Sequence, residues 1–253
     1  MSGRLYWTDT GAGTISSCDL DGGDITEVVT GLQDPLGIAV DAAGGRIYFT
    51  DMGTHKVHRV DLADNDIEDL AGDLPQPRHM ALDLGAGHVY WTDSTANKVQ
   101  RANLDGSELV DLVTGIPGAG IALDLDGGMM YWADPFVGKR NLRANLDGSA
   151  IAALSTGLGI QVGIALDVDR DRMYWADSET DKVQSSTLDG SDVRDVVTDG
   201  GGPRCICLDV ERGLMYWTGV GANSIYRASL DGSGHRTLVE RYNHPCGLAL
   251  VLE

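Results

Sequence analysis

The sequence has no apolar run of about 18 residues, the length at which a helix becomes able to cross a membrane. Its amino terminus also lacks a charged segment followed by an apolar stretch, which is the pattern of a signal peptide. We therefore expect no membrane insertion, and either a cytoplasmic protein or a segment of a longer secreted one.

Basic residues are scarce, because 19 lysines and arginines stand against 38 aspartates and glutamates and give a formal net charge of -19. A surface with this charge repels phosphate backbones and anionic lipid headgroups, so we expect no nucleic-acid partner. The acidic excess favours solubility, and it leaves open the attraction of a basic partner.

Cysteines are also few, and their spacing follows neither a metal-binding motif nor a regular disulfide framework. A reduced protein fits best, although a disulfide bridge stays open. The four cysteines are Cys18, Cys205, Cys207 and Cys246.

Signatures of familiar enzymes are missing as well. The chain has no GxSxG nucleophile elbow, no phosphate-binding loop and no HExxH zinc motif. The six histidines are scattered without metal-ligand spacing. We therefore predict no metal site and no cofactor.

What the chain does have is a tetrapeptide that recurs six times at intervals of 41 to 43 residues. Repeats of this period indicate an architecture built from one structural unit. The six copies are Tyr6–Asp9, Tyr48–Asp51, Tyr90–Asp93, Tyr131–Asp134, Tyr174–Asp177 and Tyr216–Gly219.

Each unit contains four short strand-like runs separated by glycine turns, and an Asp-Gly pair marks the last turn in five units. This pattern predicts an all-β, six-bladed β-propeller with four antiparallel strands per blade, forming a single domain over residues 1–253. The first unit lacks an inner strand, and Pro245–Val251 matches one. The carboxy-terminal strand should therefore join the amino-terminal blade and close the ring, and we expect a monomer.

The units resemble the class B (YWTD) repeats of the low-density lipoprotein receptor family. The resemblance rests on the six tetrapeptides, on Pro35–Asp41 and on Val99–Gly106, which follow the family pattern. It implies a six-bladed propeller that binds proteins and has no enzymatic activity. The EGF-like modules that flank the family's propellers are absent.

The tetrapeptide itself is interpreted as structural. Its aromatic residues should fill the space between blades, and its aspartate should accept backbone hydrogen bonds that hold one blade to the next. Because Gly219 replaces the aspartate in the last unit, we expect one weaker junction there.

A binding site should lie where the units differ, at the start of the inner strands around the central channel. His79 and Cys205 stand where the other units have glycine, and Arg78 and Arg204 precede them. The two units are three apart and so lie opposite each other in a six-membered ring. His79 should therefore face Cys205 across the channel, and Arg78 should face Arg204. Two guanidinium groups suit a carboxylate or phosphate, although they could instead pair with Asp34 or other local acids.

Other side chains of the same loops complete the predicted site. Phe136 lies in a lengthened loop and is the best aromatic anchor, because most other aromatic residues belong to the tetrapeptides. The remaining candidates are Asp34, Gln161, His244 and Cys246.

Two functions remain from this pattern. The leading one is a scaffold that binds a protein, a peptide or a small anionic ligand through its top face and channel mouth. The alternative is a propeller enzyme, a lyase, isomerase or hydrolase, acting on a small anionic substrate, with His79, His244 and Cys205 as candidate catalytic groups.

Overall fold

The computed structural model describes residues 3–252, and these form six four-stranded antiparallel sheets. The prediction of a single domain over residues 1–253 also includes Met1, Ser2 and Glu253, which lie outside the described residues. The predicted six-bladed propeller is confirmed. In the described part of the chain, no helix has the length and apolar character needed to cross a membrane.

Every blade runs from an inner strand at the channel, through the strand that carries the tetrapeptide, to an outer strand. Blade 1 consists of β24 (Pro245–Leu252), β1 (Gly3–Asp9), β2 (Thr14–Asp19) and β3 (Thr26–Thr30). Blade 2 consists of β4 (Pro35–Asp41), β5 (Arg46–Asp51), β6 (Lys56–Asp61) and β7 (Ile67–Ala71). Blade 3 consists of β8 (Pro77–Asp83), β9 (His88–Asp93), β10 (Lys98–Asn103) and β11 (Val110–Thr114).

The second half of the ring repeats this order, with one 3-10 helix, Val168–Arg170, between the first two strands of blade 5. Blade 4 consists of β12 (Ile121–Asp124), β13 (Met129–Asp134), β14 (Arg140–Asn145) and β15 (Ala152–Thr156). Blade 5 consists of β16 (Gln161–Asp167), β17 (Arg172–Asp177), β18 (Lys182–Ser186) and β19 (Arg194–Val197). Blade 6 consists of β20 (Pro203–Asp209), β21 (Leu214–Gly219), β22 (Ser224–Ser229) and β23 (Arg236–Val239).

The Asp-Gly pairs form the turns before the outer strands, as their chemistry requires. Gly106 has a φ of +83°, a conformation that a residue with a Cβ adopts only with strain. Asp105 Oδ1 accepts a hydrogen bond of 2.9 Å from the backbone N–H of Ser107 and so stabilises the same turn.

The apolar core is divided into six clusters, one between each pair of neighbouring blades. Trp91 of blade 3, for example, packs against Tyr48 and Val57 of blade 2. All five tryptophans and Phe49 are 0 % exposed. Burying a large apolar side chain contributes about 1.5 to 3 kcal/mol, so these clusters are the main attraction between blades.

The ring is closed inside blade 1. The inner strand β24 pairs antiparallel with β1, and Leu5 lies opposite Leu250 and Trp7 opposite Leu248. The predicted closure is confirmed, and it places the two ends of the described chain in the same sheet.

The threonine of the tetrapeptide links neighbouring inner strands directly. Thr8 Oγ1 accepts a hydrogen bond of 2.8 Å from Gly247 N in its own blade and donates one of 2.7 Å to Leu36 O in the next blade. Thr50, Thr92 and Thr218 donate in the same way to the next blade. Blades 4 and 5 carry alanine here, at Ala133 and Ala176, so their hydroxyl is missing.

The aspartate of the tetrapeptide holds the loop that leads into its own blade. Asp51 accepts hydrogen bonds of 3.0 Å from the backbone N–H groups of Gln33 and Asp34. Equivalent bonds are made by Asp9, Asp93 and Asp177. Asp134 differs, because its carboxylate accepts from Val137 N and Gly138 N within its own turn. In four of the six units the aspartate therefore accepts backbone hydrogen bonds as predicted, but from the loop that enters its own blade rather than from a neighbouring blade.

The glycine that ends the sixth tetrapeptide makes room for a ring. A Cβ on Gly219 would lie 2.5 Å from Cε2 of Tyr226, which stacks on Trp217. The loop into blade 6 is held instead by Asp181 of blade 5, which accepts a bond of 2.7 Å from Gly202 N. Other groups thus replace the missing carboxylate at the junction that we expected to be weaker.

We expect Thr8→Val to lower the free energy of unfolding by about 1 to 3 kcal/mol, because it leaves Gly247 N–H and Leu36 C=O buried without their partner. Urea unfolding measures the change. As a matched control, Thr26→Val on the exposed edge strand β3 should change stability by less than about 0.5 kcal/mol. Equal effects of the two substitutions would show that the threonine bridge does not stabilise the ring.

Candidate functional site

The six inner strands come so close together at the channel that four of them have a glycine at or near their start. A Cβ on Gly37 would lie 2.3 Å from Arg78 O of the next inner strand, and one on Gly247 would lie 2.1 Å from Leu36 O. Such distances exclude a side chain unless the backbone moves. Two units carry a side chain at this position, His79 in blade 3 and Cys205 in blade 6.

The structure brings His79 and Cys205 into contact across the channel. Cys205 Sγ lies 3.7 Å from His79 Nδ1, and both residues are buried. Together they line a cavity of about 60 Å³ in the channel. His79 Nε2 has no hydrogen-bond partner among residues 3–252.

Burial controls the ionisation of this pair. It lowers the pKa of His79 to about 3, and the charges of Arg204 and Arg78 act in the same direction. Burial also raises the pKa of the Cys205 thiol to about 12. At neutral pH the contact therefore joins a neutral imidazole and a neutral thiol, and neither has the pKa of an efficient general base or nucleophile.

Arg78 is held in place at the mouth of the channel without a carboxylate partner. Its Nε donates a hydrogen bond of 2.9 Å to Ser94 Oγ, and its Nη2 donates one of 3.2 Å to Gln76 Oε1. Its Cζ lies 5.4 Å from the ring centre of Phe136, a cation–π contact. Burial, followed by the nearby charge of Arg204, lowers the pKa of Arg78.

Arg204 is the second guanidinium at the mouth, and within residues 3–252 it makes no hydrogen bond and no ion pair. The alternative that the two arginines pair with Asp34 is therefore not seen. Asp34 lies close enough for both arginines to act on its charge, but burial and Asp51 outweigh them, and the pKa of Asp34 is raised. The arginines keep free donors that face the channel mouth.

A pocket of about 230 Å³ lies between the two arginines on one side of the mouth. Its apolar wall comes from loops and inner strands of blades 4 to 6, and Phe136 at its rim is 51 % exposed. Together with Arg78, Arg204 and Phe136, the residues that line it are Ala119, Ile160, Val162, Ser178 and Val220. We call this cavity the mouth pocket.

The opposite side of the mouth is polar. His244 Nδ1 lies 2.8 Å from Thr10 Oγ1 and 3.4 Å from Cys246 Sγ. Burial lowers the pKa of His244 and raises that of Cys246.

Gln161 of blade 5 lies deeper than predicted, because it is fully buried and its Nε2 donates a hydrogen bond of 2.7 Å to Gly159 O in its own loop.

Several residues of the mouth were not among the candidates from the sequence. Ser94 orients Arg78, and Ile160 and Val220 form part of the pocket wall. All three lie in loops after a tetrapeptide or before an inner strand, which is the only sequence signal that marks them.

A larger cavity of about 530 Å³ lies at the opposite face, between blades 5 and 6. It also contains arginines, but each of these has a carboxylate partner. Arg172 and Arg194 both pair with Asp192, at 3.0 and 2.6 Å, and Arg170 pairs with Asp167 at 2.9 Å. The mouth pocket is therefore the better candidate for an anionic ligand.

The family model described as "Low-density lipoprotein receptor repeat class B" matches residues 3–42 and 171–209. These two segments carry LDL receptor class B repeats. This result confirms the predicted resemblance for two segments, and the regular spacing of the tetrapeptides extends the same unit around the ring. No curated protein matches the sequence significantly.

Solved structures share the propeller fold. A chain of the nidogen/laminin complex superposes with a TM-score of 0.88 at 20 % identity, over 99 % of this chain and 98 % of that one. TolB from Acinetobacter baumannii superposes with a TM-score of 0.78 at 15 % identity, over 99 % of this chain and 67 % of that one. At these identities the likeness establishes the propeller fold of this chain.

The low pKa of His79 makes stability depend on pH. Between pH 6.5 and about pH 3 the unfolded chain binds a proton at His79 that the folded chain does not, so stability falls as the pH is lowered. The contribution lost between pH 8 and pH 5 is about 2 kcal/mol. We expect the free energy of unfolding of His79→Gln, measured with urea, to fall between pH 8 and pH 5 by about 2 kcal/mol less than that of the unmodified protein.

An internal control comes from the range between pH 7.5 and pH 9, which lies above the window for His79. Both proteins should there show the same change in the free energy of unfolding. If the two proteins also lose stability equally between pH 8 and pH 5, His79 is not held neutral by the fold.

Proposed function

We propose that this propeller binds a protein or peptide at the channel mouth. The observation that supports this proposal best is the presence of two arginines without carboxylate partners beside an exposed aromatic ring. Aromatic residues and arginines dominate the energetics of protein interfaces. A half-buried guanidinium without an anion is also costly for a folded protein unless a ligand uses it.

The exposed apolar residues around the pocket support the same function. Phe136 is 51 % exposed, Val137 is 78 % exposed and Ile160 is 36 % exposed. All three belong to loops at the tetrapeptide end of the blades. Apolar side chains grouped beside charged ones are typical of surfaces that other molecules cover.

The class B repeats and the structural likeness point to a protein partner in particular. The structure that superposes with a TM-score of 0.88 is a complex of nidogen with laminin. That complex is an assembly between proteins, and a similar propeller can offer a similar rigid face. The inference to this chain is by analogy of fold, and the residues of the mouth pocket give it specific content.

The enzyme alternative has less support. Its candidate base His79 has a pKa of about 3, and its candidate nucleophile Cys205 has a pKa of about 12. Both groups lie below the mouth, in a cavity of about 60 Å³ that has room for water but not for an organic substrate. His244 is more accessible, but its partners Thr10 and Cys246 are neutral groups.

The test is affinity capture from an extract of the source organism with three proteins. The first is the unmodified propeller, and the second carries Phe136→Glu and Ile160→Glu at the mouth. The third carries Leu109→Glu and Val110→Glu at the start of the outer strand β11, where both residues are similarly exposed. We expect partners that bind the first and third proteins at least tenfold better than the second, because the new charges repel an apolar contact.

Equal recovery by all three proteins would place the interface outside the mouth. The same three proteins should have thermal unfolding temperatures within a few degrees of one another, since all four substituted side chains are exposed. If none of them retains any protein above the background of an empty resin, protein binding is contradicted.

A further inference from the structure

We infer that the mouth pocket recognises a carboxylate that is followed closely by an apolar side chain. The carboxylate lies between Arg78 and Arg204, and the apolar group lies against Phe136, Ile160 and Val162. This inference rests on the proposed function and names the chemical element of the partner that the site selects.

The first argument is the state of the two arginines. Arg78 uses two donors on neutral acceptors, Ser94 Oγ and Gln76 Oε1, and its other donors remain available. Arg204 uses none within residues 3–252. Both line the same pocket, so one anion between them can accept from both guanidinium groups.

The second argument is rigidity. Ser94 Oγ also donates a hydrogen bond of 2.7 Å to Gln76 Oε1, and Thr95 Oγ1 donates to the same oxygen at 3.1 Å. Arg78 is therefore fixed by a network of neutral groups and by the face of Phe136. A fixed guanidinium loses less entropy on binding than a mobile one, which favours selective recognition of a planar carboxylate.

The third argument is the asymmetry of the mouth. On the side of blades 4 to 6 the wall is apolar, whereas the other side presents Asp34, His244 and Thr10. A ligand that places its anion on the channel axis must therefore turn its apolar group toward Phe136. The pocket of about 230 Å³ is large enough for one such side chain.

The charge of the surroundings favours a carboxylate over a phosphate. Asp34 contributes a nearby negative charge, and the molecule as a whole carries -19. The long-range field of the whole molecule therefore repels an approaching dianion about twice as strongly as a monoanion.

Two sources supply this chemistry in a protein, an aspartate or glutamate side chain and the carboxy terminus. We therefore suggest screening two libraries of random heptapeptides against the propeller. In one, the heptapeptide ends in a free carboxylate. In the other, it is followed by a fixed Gly-Ser amide, so that only a side chain can supply the anion.

We expect enriched peptides to contain a carboxylate within two positions of a large apolar residue. Enrichment in the first library alone identifies a terminal carboxylate, and enrichment in both identifies a side chain. Enriched peptides that depend on Phe136 but lack a carboxylate would overturn the inference and leave the proposed function standing. If no peptide is enriched, or if binding ignores Phe136→Glu, the inference is overturned and the proposed site fails with it.

A double-mutant cycle then tests the contact itself. We expect the dissociation constant to rise about 10- to 100-fold when the peptide carboxylate is changed to a carboxamide. Arg204→Gln in the protein should raise it by a similar factor. The two changes together should raise the dissociation constant little more than either change alone, because they remove the same interaction. Arg78→Gln should behave similarly.

The control is Arg46→Gln, which removes the same charge at the opposite end of blade 2 and should change affinity less than about twofold. Because the carboxamide change is made in the peptide, its effect on the unmodified propeller remains a test of carboxylate recognition even if an arginine variant folds poorly. Additive effects in the cycle would show that Arg204 and the carboxylate do not meet.

Discussion

The close approach of six inner strands at one axis is the constraint on which this molecule depends. Glycine is needed at Gly37, Gly120, Gly163 and Gly247, because a Cβ there would lie within about 3 Å of the next strand. Packing of the tryptophan rows between blades draws the strands to this distance. The mouth residues are consequently carried by a frame that has little freedom to move, and their positions are set by blade packing rather than by the loops alone.

This rigid frame explains how two like charges remain side by side. Arg78 and Arg204 come from inner strands that the ring holds opposite each other, so their backbones cannot move apart without disturbing a blade. Their repulsion is weakened by the acidic molecule around them, to which Asp34 and Asp93 belong. A site that stays cationic inside a strongly acidic protein is suited to selection, because other surfaces of the same molecule repel the anion that it accepts.

The architecture could be predicted in full from the sequence, whereas the site could be predicted only in part. Tetrapeptides, Asp-Gly turns and a missing first strand are local signals, and together they specify six blades and their closure. The opposition of Arg78 and Arg204 follows from counting units. The partners of Arg78 at Ser94 and Gln76, however, and the burial of His79 and Gln161, depend on contacts between loops of different blades. No pattern within one unit encodes such contacts.

Blades 4 and 5, which carry alanine in place of the threonine of the tetrapeptide, also contribute residues to the wall of the mouth pocket. The missing hydroxyls therefore affect the strands next to the candidate site. In four blades the threonine hydroxyl donates to the carbonyl just before the glycine position of the next inner strand, a position that His79 occupies in blade 3. Thr50, for example, donates to Arg78 O. Ala133 and Ala176 cannot do so, and the carbonyls they leave are those of Val162 and Arg204. Arg78 thus has a threonine bond at its carbonyl and hydrogen bonds at its side chain, whereas Arg204 has neither kind of bond among residues 3–252. An anion held by both would meet one fixed arginine and one adjustable arginine, an arrangement that allows ligands of slightly different size to make both contacts.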